Sequence, residues 1–182
     1  MNIYLTRHGQ TDWNKMGKIQ GSSNINLNDL GIEQAKKVAD ILKDENFDLI
    51  ICSPLKRSID TANYINEKLE LPILIDDRIM ERDFGDLEGV ISTSFDFDSY
   101  WVYNKNISDN NVESIKDFFG RVADFLDEIK LLYKDKNILL VAHGGVSIAT
   151  KCYFSDFDKN SSLLSLCIDN CEVLKYFDVE SR

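Results

Sequence analysis

The chain has 182 residues, with 31 acidic and 21 basic side chains and a net charge of -10. That length suits a single domain with a full core, and the charge argues against a generic binder of nucleic acid or anionic membrane. Hydrophobic content of 43% and aromatic content of 10% exclude a disordered chain, and no window approaches the roughly 18 apolar residues of a membrane span.

Residues 2–7 read as a first strand that runs into Arg7-His8-Gly9. The start, Met1-Asn2-Ile3, has no basic n-region and leads straight into this strand, so no signal peptide is expected and the expected location is the cytoplasm. A loop holding Asn14, Gln20 and Gly21 extends to about Leu27. Asn28 is a good N-cap, and Ala35, Val38, Ala39 and Leu42 recur at helical spacing, which predicts a helix over 29–44. Phe47 to Cys52 is a second buried strand. Ser53-Pro54 has the form of a cap followed by a first helical position, ahead of Ile59, Ala62, Ile65 and Leu69. Pro72 to Ile75 is a short third strand.

Residues 76–112 keep no period and carry glycines, aspartates and aromatics, as expected of a lid or binding insertion. Helical spacing returns from Ser114, which with Asp117 forms a capping pair, through Ile115, Phe118, Val122, Leu126 and Ile129 to Tyr133. A fully apolar strand, Ile138 to Ala142, then delivers His143-Gly144-Gly145. A short helix over about 146–154 and two β-like runs at 163–168 and 172–177 complete the chain. The alternation predicts a three-layer α/β/α sandwich with a mostly parallel, mixed sheet, forming a single domain over 1–182 with its lid at about 76–112. Cys52, Cys152, Cys167 and Cys171 lack paired CxxC spacing and read as reduced packing residues, with a zinc site as the weaker alternative.

The two strand–His–Gly segments are partial copies, and they contain the only two histidines. Ligands of open α/β sheets bind at the carboxyl ends of strands, so both histidines are expected around one phosphate. A neutral imidazole can attack phosphorus, and Arg7 offers a planar fork of donors for phosphate. Alone, Arg-His-Gly reads in preference as a surface arginine beside a partly buried histidine at a strand end. Arg57 alone is an ordinary helix arginine, and His143 alone could be a satisfied core residue. Glu81 and Glu88 compete for any acid role on the same segment.

Taken in order, Arg7-His8-Gly9-Gln10-Thr11, Asn14, Gln20-Gly21, Leu30-Gly31, Gln34-Ala35, Ser53-Pro54-Leu55, Arg57, Thr61-Ala62, Glu81, Phe84-Gly85, Glu88-Gly89 and Val141 to Gly145 resemble the signature of the histidine phosphatase superfamily, in its phosphoglycerate mutase-like branch. The resemblance covers most of residues 2–150. It implies His8 as the nucleophile that becomes phosphorylated, and Arg7, Arg57 and His143 as a cationic pocket around the phosphoryl group. It implies Glu81 as the general acid and then base. Asn14, Gln20, Gly21 and the backbone at Gly144 would help bind substrate. No metal or other cofactor is implied, and the sequence has no P-loop. For this chemistry His8 must be neutral, which a cationic pocket favours, and crowding of four acids within 81–88 favours protonation of one of them.

The superfamily holds mutases and phosphatases. From Asp83 to Asn104 the chain has no Lys or Arg but six large aromatics, Phe84, Phe95, Phe97, Tyr100, Trp101 and Tyr103. These could wall a site for a monophosphate with an apolar body, or could merely pack the insertion onto the sheet. Lys15 and Lys18 are the only cations the first loop offers. The expected activity is hydrolysis of a small-molecule phosphate ester. A phosphoglycerate-type mutase is the alternative, and a catalytically idle binder of phosphorylated ligands is the second.

Overall fold

A computed structural model describes residues 1–177 and 179. The last positions of the expected 1–182 unit, 178 and 180–182, lie outside the described residues. Ten elements make the frame: β1 (Asn2–Arg7), α1 (Asp12–Lys15), α2 (Asp29–Leu42), β2 (Leu49–Cys52), α3 (Lys56–Leu69), β3 (Ile73–Ile75), α4 (Ile115–Leu132), β4 (Asn137–Ala142), α5 (Gly144–Phe154) and β5 (Val173–Tyr176). The sheet order is β3-β2-β4-β1-β5. Four strands run parallel, and β5 lies antiparallel on the β1 edge.

The three layers follow from strand alternation. Ile3, Leu5, Leu49, Ile51, Ile138 and Leu140 point to one face, where they pack with Phe118, Val122, Phe125 and Ile148 of α4 and α5. Tyr4, Ile50, Cys52, Leu139 and Val141 point to the other, against Val38, Ala39 and Leu42 of α2 and Ala62 and Ile65 of α3. Burial on both faces is why β2 and β4 read as unbroken apolar runs. Asn28 caps α2 through Gly31 N–H (2.9 Å), and Ser114 caps α4 through Asp117 N–H (3.2 Å).

Two expectations fail locally. Ser53 does not cap α3. The helix starts at Lys56 after Leu55, with no side-chain cap, because Ser53 N–H still donates to Val141 carbonyl (3.1 Å) and so extends the sheet. Residues 163–168 form no strand. They close a 3-10 turn over Leu164–Leu166, anchored by buried Leu163 and Ile168 and by Leu163 N–H on Trp101 carbonyl (3.1 Å). Helix α5 starts directly at Gly144, with His143 as its N-cap residue. An unforeseen short helix, α1, is closed by a reciprocal cap between Thr11 and Asn14.

Register sets the site. In the β1–β4 pair Arg7 lies opposite Ala142, and His8 N–H donates to Ala142 carbonyl (3.0 Å). The residues that follow, His8 and His143, therefore leave the sheet side by side. No helix among the described residues is long and apolar enough to cross a membrane.

Candidate active site

At the carboxyl ends of these strands lies a cleft of about 220 Å³. Its wall includes Arg7, His8, Asn14, Gln20, Gly21, Arg57, Glu81 and Gly144. These are eight of the nine residues expected from the sequence. The ninth, His143, sits one layer behind, fully buried, with its ring centroid 5.2 Å from that of His8.

His8 is held in one tautomer. Its Nδ1 lies 2.7 Å from its neighbour Gly9's carbonyl, which can only accept, so Nδ1 carries the proton. Nε2 is then a bare acceptor, and it takes a hydrogen bond from Arg57 Nε (3.2 Å). Burial, then the charges of Arg57 and Arg7, push the His8 pKa well below the ordinary histidine value. His8 is therefore neutral with its Nε2 lone pair toward the cationic side of the cleft. Asn170 supports its backbone, donating from Nδ2 to His8 carbonyl (2.8 Å).

Arg57 is completely buried near the start of α3. Its Nη1 and Nη2 donate to Ser23 and Gly21 carbonyls, both at 2.7 Å. Burial lowers its pKa to about 10, so it stays cationic at neutral pH. Arg7 donates from Nη1 to Ile168 carbonyl (2.8 Å) and to Cys167 Sγ (3.5 Å), and its Nε is buried without a partner. Two guanidinium groups thus flank His8, each with Nε as its unspent or redirectable donor. His143 Nε2 lies 2.7 Å from Ser53 Oγ, and its Nδ1 is buried without a hydrogen bond. Burial, then Arg57, drive its pKa well below the ordinary value as well. The pocket's cationic character therefore comes from its arginines, with His143 a neutral member.

Glu81 and Glu88 separate cleanly. Glu81 lines the cleft at the start of α5, its Oε2 accepting from Gly145 N–H (3.0 Å) and its Oε1 from Arg82 N–H (2.9 Å). Glu88 is turned into the loop that follows Gly21. It accepts from Ser22 N–H (2.7 Å), Ser23 N–H (2.8 Å) and the hydroxyls of both serines. Asn14 spends its Oδ1 on the Thr11 cap, and Gln20 Oε1 accepts from Thr11 Oγ1 (2.9 Å). Gly21 adopts φ +50°, and a side chain there would strike Glu88.

The aromatics of residues 84–103 divide between the two uses expected of them. Phe84, Phe97 and Trp101 wall the cleft beside Ile148 and Leu164. Phe95 and Tyr100 pack on each other within the 76–112 segment, and Tyr103 packs on Phe119 and Phe157. Among the described residues, the only cation in the cleft wall besides the two arginines is Lys18. Residues that the sequence does not assign to the site include Cys167, Ile168 and Asn170, which lie more than 150 positions from His8, and Ser53, which reads as a helix cap inside a quoted motif. All four cysteines are free thiols, and no cluster of metal-binding side chains forms among the described residues.

Comparison with known proteins gives a consistent answer. Residues 3–177 match the family model described as the histidine phosphatase superfamily (branch 1). A Bacillus subtilis protein named as the uncharacterized phosphatase PhoE is 36% identical over 93% of this chain and 87% of its own length. A 2,3-bisphosphoglycerate-dependent phosphoglycerate mutase of Treponema denticola is 31% identical over 86% of this chain and 78% of its own. Among solved structures, a phosphoserine phosphatase variant of Entamoeba histolytica in complex with phosphoserine superposes with a TM-score of 0.84. It has 26% identity and covers 99% of this chain and 92% of that one.

Proposed function

Since the chain belongs to the histidine phosphatase superfamily, we propose that it is a metal-independent phosphomonoesterase working through a phosphohistidine on His8, with Glu81 as proton donor. The observation that carries this reading is the fixed His8 tautomer: Nδ1 spent on Gly9 carbonyl, Nε2 bare and faced by Arg57.

In the first step the His8 Nε2 lone pair forms a bond to phosphorus while the bond to the ester oxygen breaks. Glu81 gives its proton to that oxygen. Arg57 Nε leaves Nε2 for a phosphoryl oxygen, which frees the lone pair for attack. Arg7 Nε takes a second oxygen, and His143 binds a third from behind. Charge on the equatorial oxygens is thus held by groups already in place. In the second step Glu81, now a carboxylate, takes a proton from water. The water oxygen bonds to phosphorus, the P–N bond breaks, and phosphate leaves with His8 neutral again. Asn14, Gln20, Gly21 and the Gly144 backbone border the phosphate end.

The substrate is a small monophosphate ester, consistent with the size of the cleft and the apolar wall of Phe84, Phe97 and Trp101. Relatives carry names that specify phosphoserine and glucosyl-3-phosphoglycerate, which belong to the same chemical class. Lys18 alone favours the mutase alternative, as the one further cation in the cleft wall among the described residues. The test is to follow phosphate release and phosphoglycerate isomerisation on one chelator-treated preparation. Release faster than isomerisation, with label from a phosphorylated substrate trapped on His8, is the expected result. Isomerisation outpacing release would make the protein a mutase, and label on His143 or nowhere would remove the role given to His8.

A further inference from the structure

We propose that Ser53 is a positioning residue for the second histidine: its hydroxyl donates to His143 Nε2 and so keeps the ring proton on Nδ1, the nitrogen left for a phosphoryl oxygen. The proposal rests on the phosphohistidine reading above and concerns how the same site presents its two rings.

Ser53 is completely buried where β2 ends. Its backbone N–H donates to Val141 in β4, the strand that carries His143. Serine and histidine are therefore fixed to one sheet, with Oγ 2.7 Å from Nε2. A hydroxyl has one proton to give and two lone pairs to accept with. The other group on Ser53 Oγ is Leu55 N–H, a donor, at 3.3 Å. The hydroxyl proton therefore has His143 Nε2 as its acceptor. The reverse arrangement, with Nε2–H donating to Oγ, would strand that proton in a dry interior. It would also leave Nδ1 with a bare lone pair for the phosphoryl oxygens to meet.

The choice matters because His143 is neutral, lowered by burial and by the arginines. A neutral imidazole has one N–H. Where it sits decides whether the ring attracts a phosphoryl oxygen or repels it. Nδ1 is buried and has no hydrogen bond in this structure, so its proton is uncommitted. His8 and His143 then share the same tautomer and serve opposite ends of it. In His8 the Gly9 carbonyl consumes Nδ1–H and presents the Nε2 lone pair. In His143 the Ser53 hydroxyl consumes the Nε2 lone pair and presents Nδ1–H. One ring becomes the nucleophile and the other a hydrogen-bond donor.

The chain has two histidines, so a long-range ¹H–¹⁵N correlation spectrum at neutral pH contains two ring systems, assigned with a His8→Gln variant. Both should be in the Nδ1–H form in the wild type. In Ser53→Ala the His143 ring should move to the Nε2–H form or to a mixture, with His8 unchanged. Vanadate affinity should fall roughly tenfold, the loss of one donor to a charged group. Ser53→Thr, which keeps a hydroxyl, should restore the tautomer. A wild-type His143 already in the Nε2–H form overturns the proposal without need of any variant. So does an Ser53→Ala spectrum in which His143 is unmoved. Turnover is not needed for these readings. A protein that shows the expected tautomers yet releases no phosphate from any ester would defeat the proposed function and leave the Ser53 assignment standing.

Discussion

Glu81 Oε2 accepts a hydrogen bond from Gly145 N–H at 3.0 Å, so the proposed proton donor is docked on the first turn of α5. The positive end of that helix faces the carboxylate. A side chain at position 145 would need the space that Glu81 occupies. A Cβ there would lie 2.1 Å from Glu81 Oε1 and 2.9 Å from the Trp101 ring. Gly145→Ala should therefore displace Glu81 and slow hydrolysis of alkyl phosphates by on the order of a hundredfold, within the usual range for a lost proton donor. Activated aryl phosphates, whose leaving groups need no proton, should suffer far less. Equal losses on both substrate types, with the fold intact by circular dichroism, would argue against Glu81 as the donor.

Glu81→Gln should give the same leaving-group pattern, and Glu88→Gln should not. Glu88 faces an array of N–H and O–H donors around Ser22 and Ser23, and an amide would turn one NH₂ onto them. The expected cost is about 1–3 kcal/mol of stability, measured by urea denaturation, with the ratio of alkyl to aryl turnover unchanged.

Arg121 secures the same acid from the other side. It donates to the carbonyls of Arg78 (2.7 Å), Met80 (2.8 Å) and Glu81 (3.0 Å) and pairs with both oxygens of Glu113 (2.7 and 2.9 Å). Arg121→Met would leave three carbonyls without this donor and Glu113 without its arginine partner, with Asp83 N–H (3.1 Å) still donating to that carboxylate. A loss of about 2 kcal/mol or more is expected, together with a fall in kcat on alkyl phosphates. If KM for alkyl phosphates rises while kcat stays unchanged, the clamp does not act on Glu81.

Acid should destabilise the protein in a window set by its histidines. Both have folded-state pKa values well below the ordinary 6.5, through burial first and the arginines second. Below pH 6.5 the unfolded chain binds protons that the folded chain refuses, so stability falls as pH drops. The slope approaches about 1.4 kcal/mol per pH unit for each histidine. Denaturation midpoints between pH 7 and 5 test this, and His8→Gln should reduce the slope by about half. The same neutrality keeps His8 competent as a nucleophile below pH 6.5. An acid limb of kcat/KM centred near 6.5 would contradict it.

What could be read from the sequence was whatever local pattern encodes. β4 carries an unbroken apolar run and β1 a shorter one at Ile3–Leu5, and His-Gly directly follows each strand, so an expectation that the two meet at one site was legible before any contact was known. Ser53 was not. Serine before proline carries a strong local helix-start signal, while the partner that claims its hydroxyl lies 90 residues away. Glu81 and Glu88 look alike along the chain, and donors from Gly145 and from Ser22 and Ser23 separate them. The aromatics of residues 84–103 keep no period, so only tertiary packing could assign Phe97 and Trp101 to the cleft and Tyr103 to the core. The run at 163–168 has strand-like composition, yet Trp101 carbonyl and the buried ends at Leu163 and Ile168 bend it into a turn.

The pairing of β1 with β4 also fixes when the site can come into being. Asn2 and Asn137, joined side chain to side chain at 2.8 Å, are 135 residues apart. At a synthesis rate of about 5–20 residues per second, the first strand leaves the ribosome roughly 7–27 s before its central partner exists. Through that interval Ile3, Tyr4 and Leu5 have no neighbouring strand, and His8 lacks both its backbone acceptor in Ala142 and its companion ring. Until β4 arrives the nascent chain holds an exposed apolar edge and no phosphate pocket, so protection from aggregation and the onset of activity depend on the same late event.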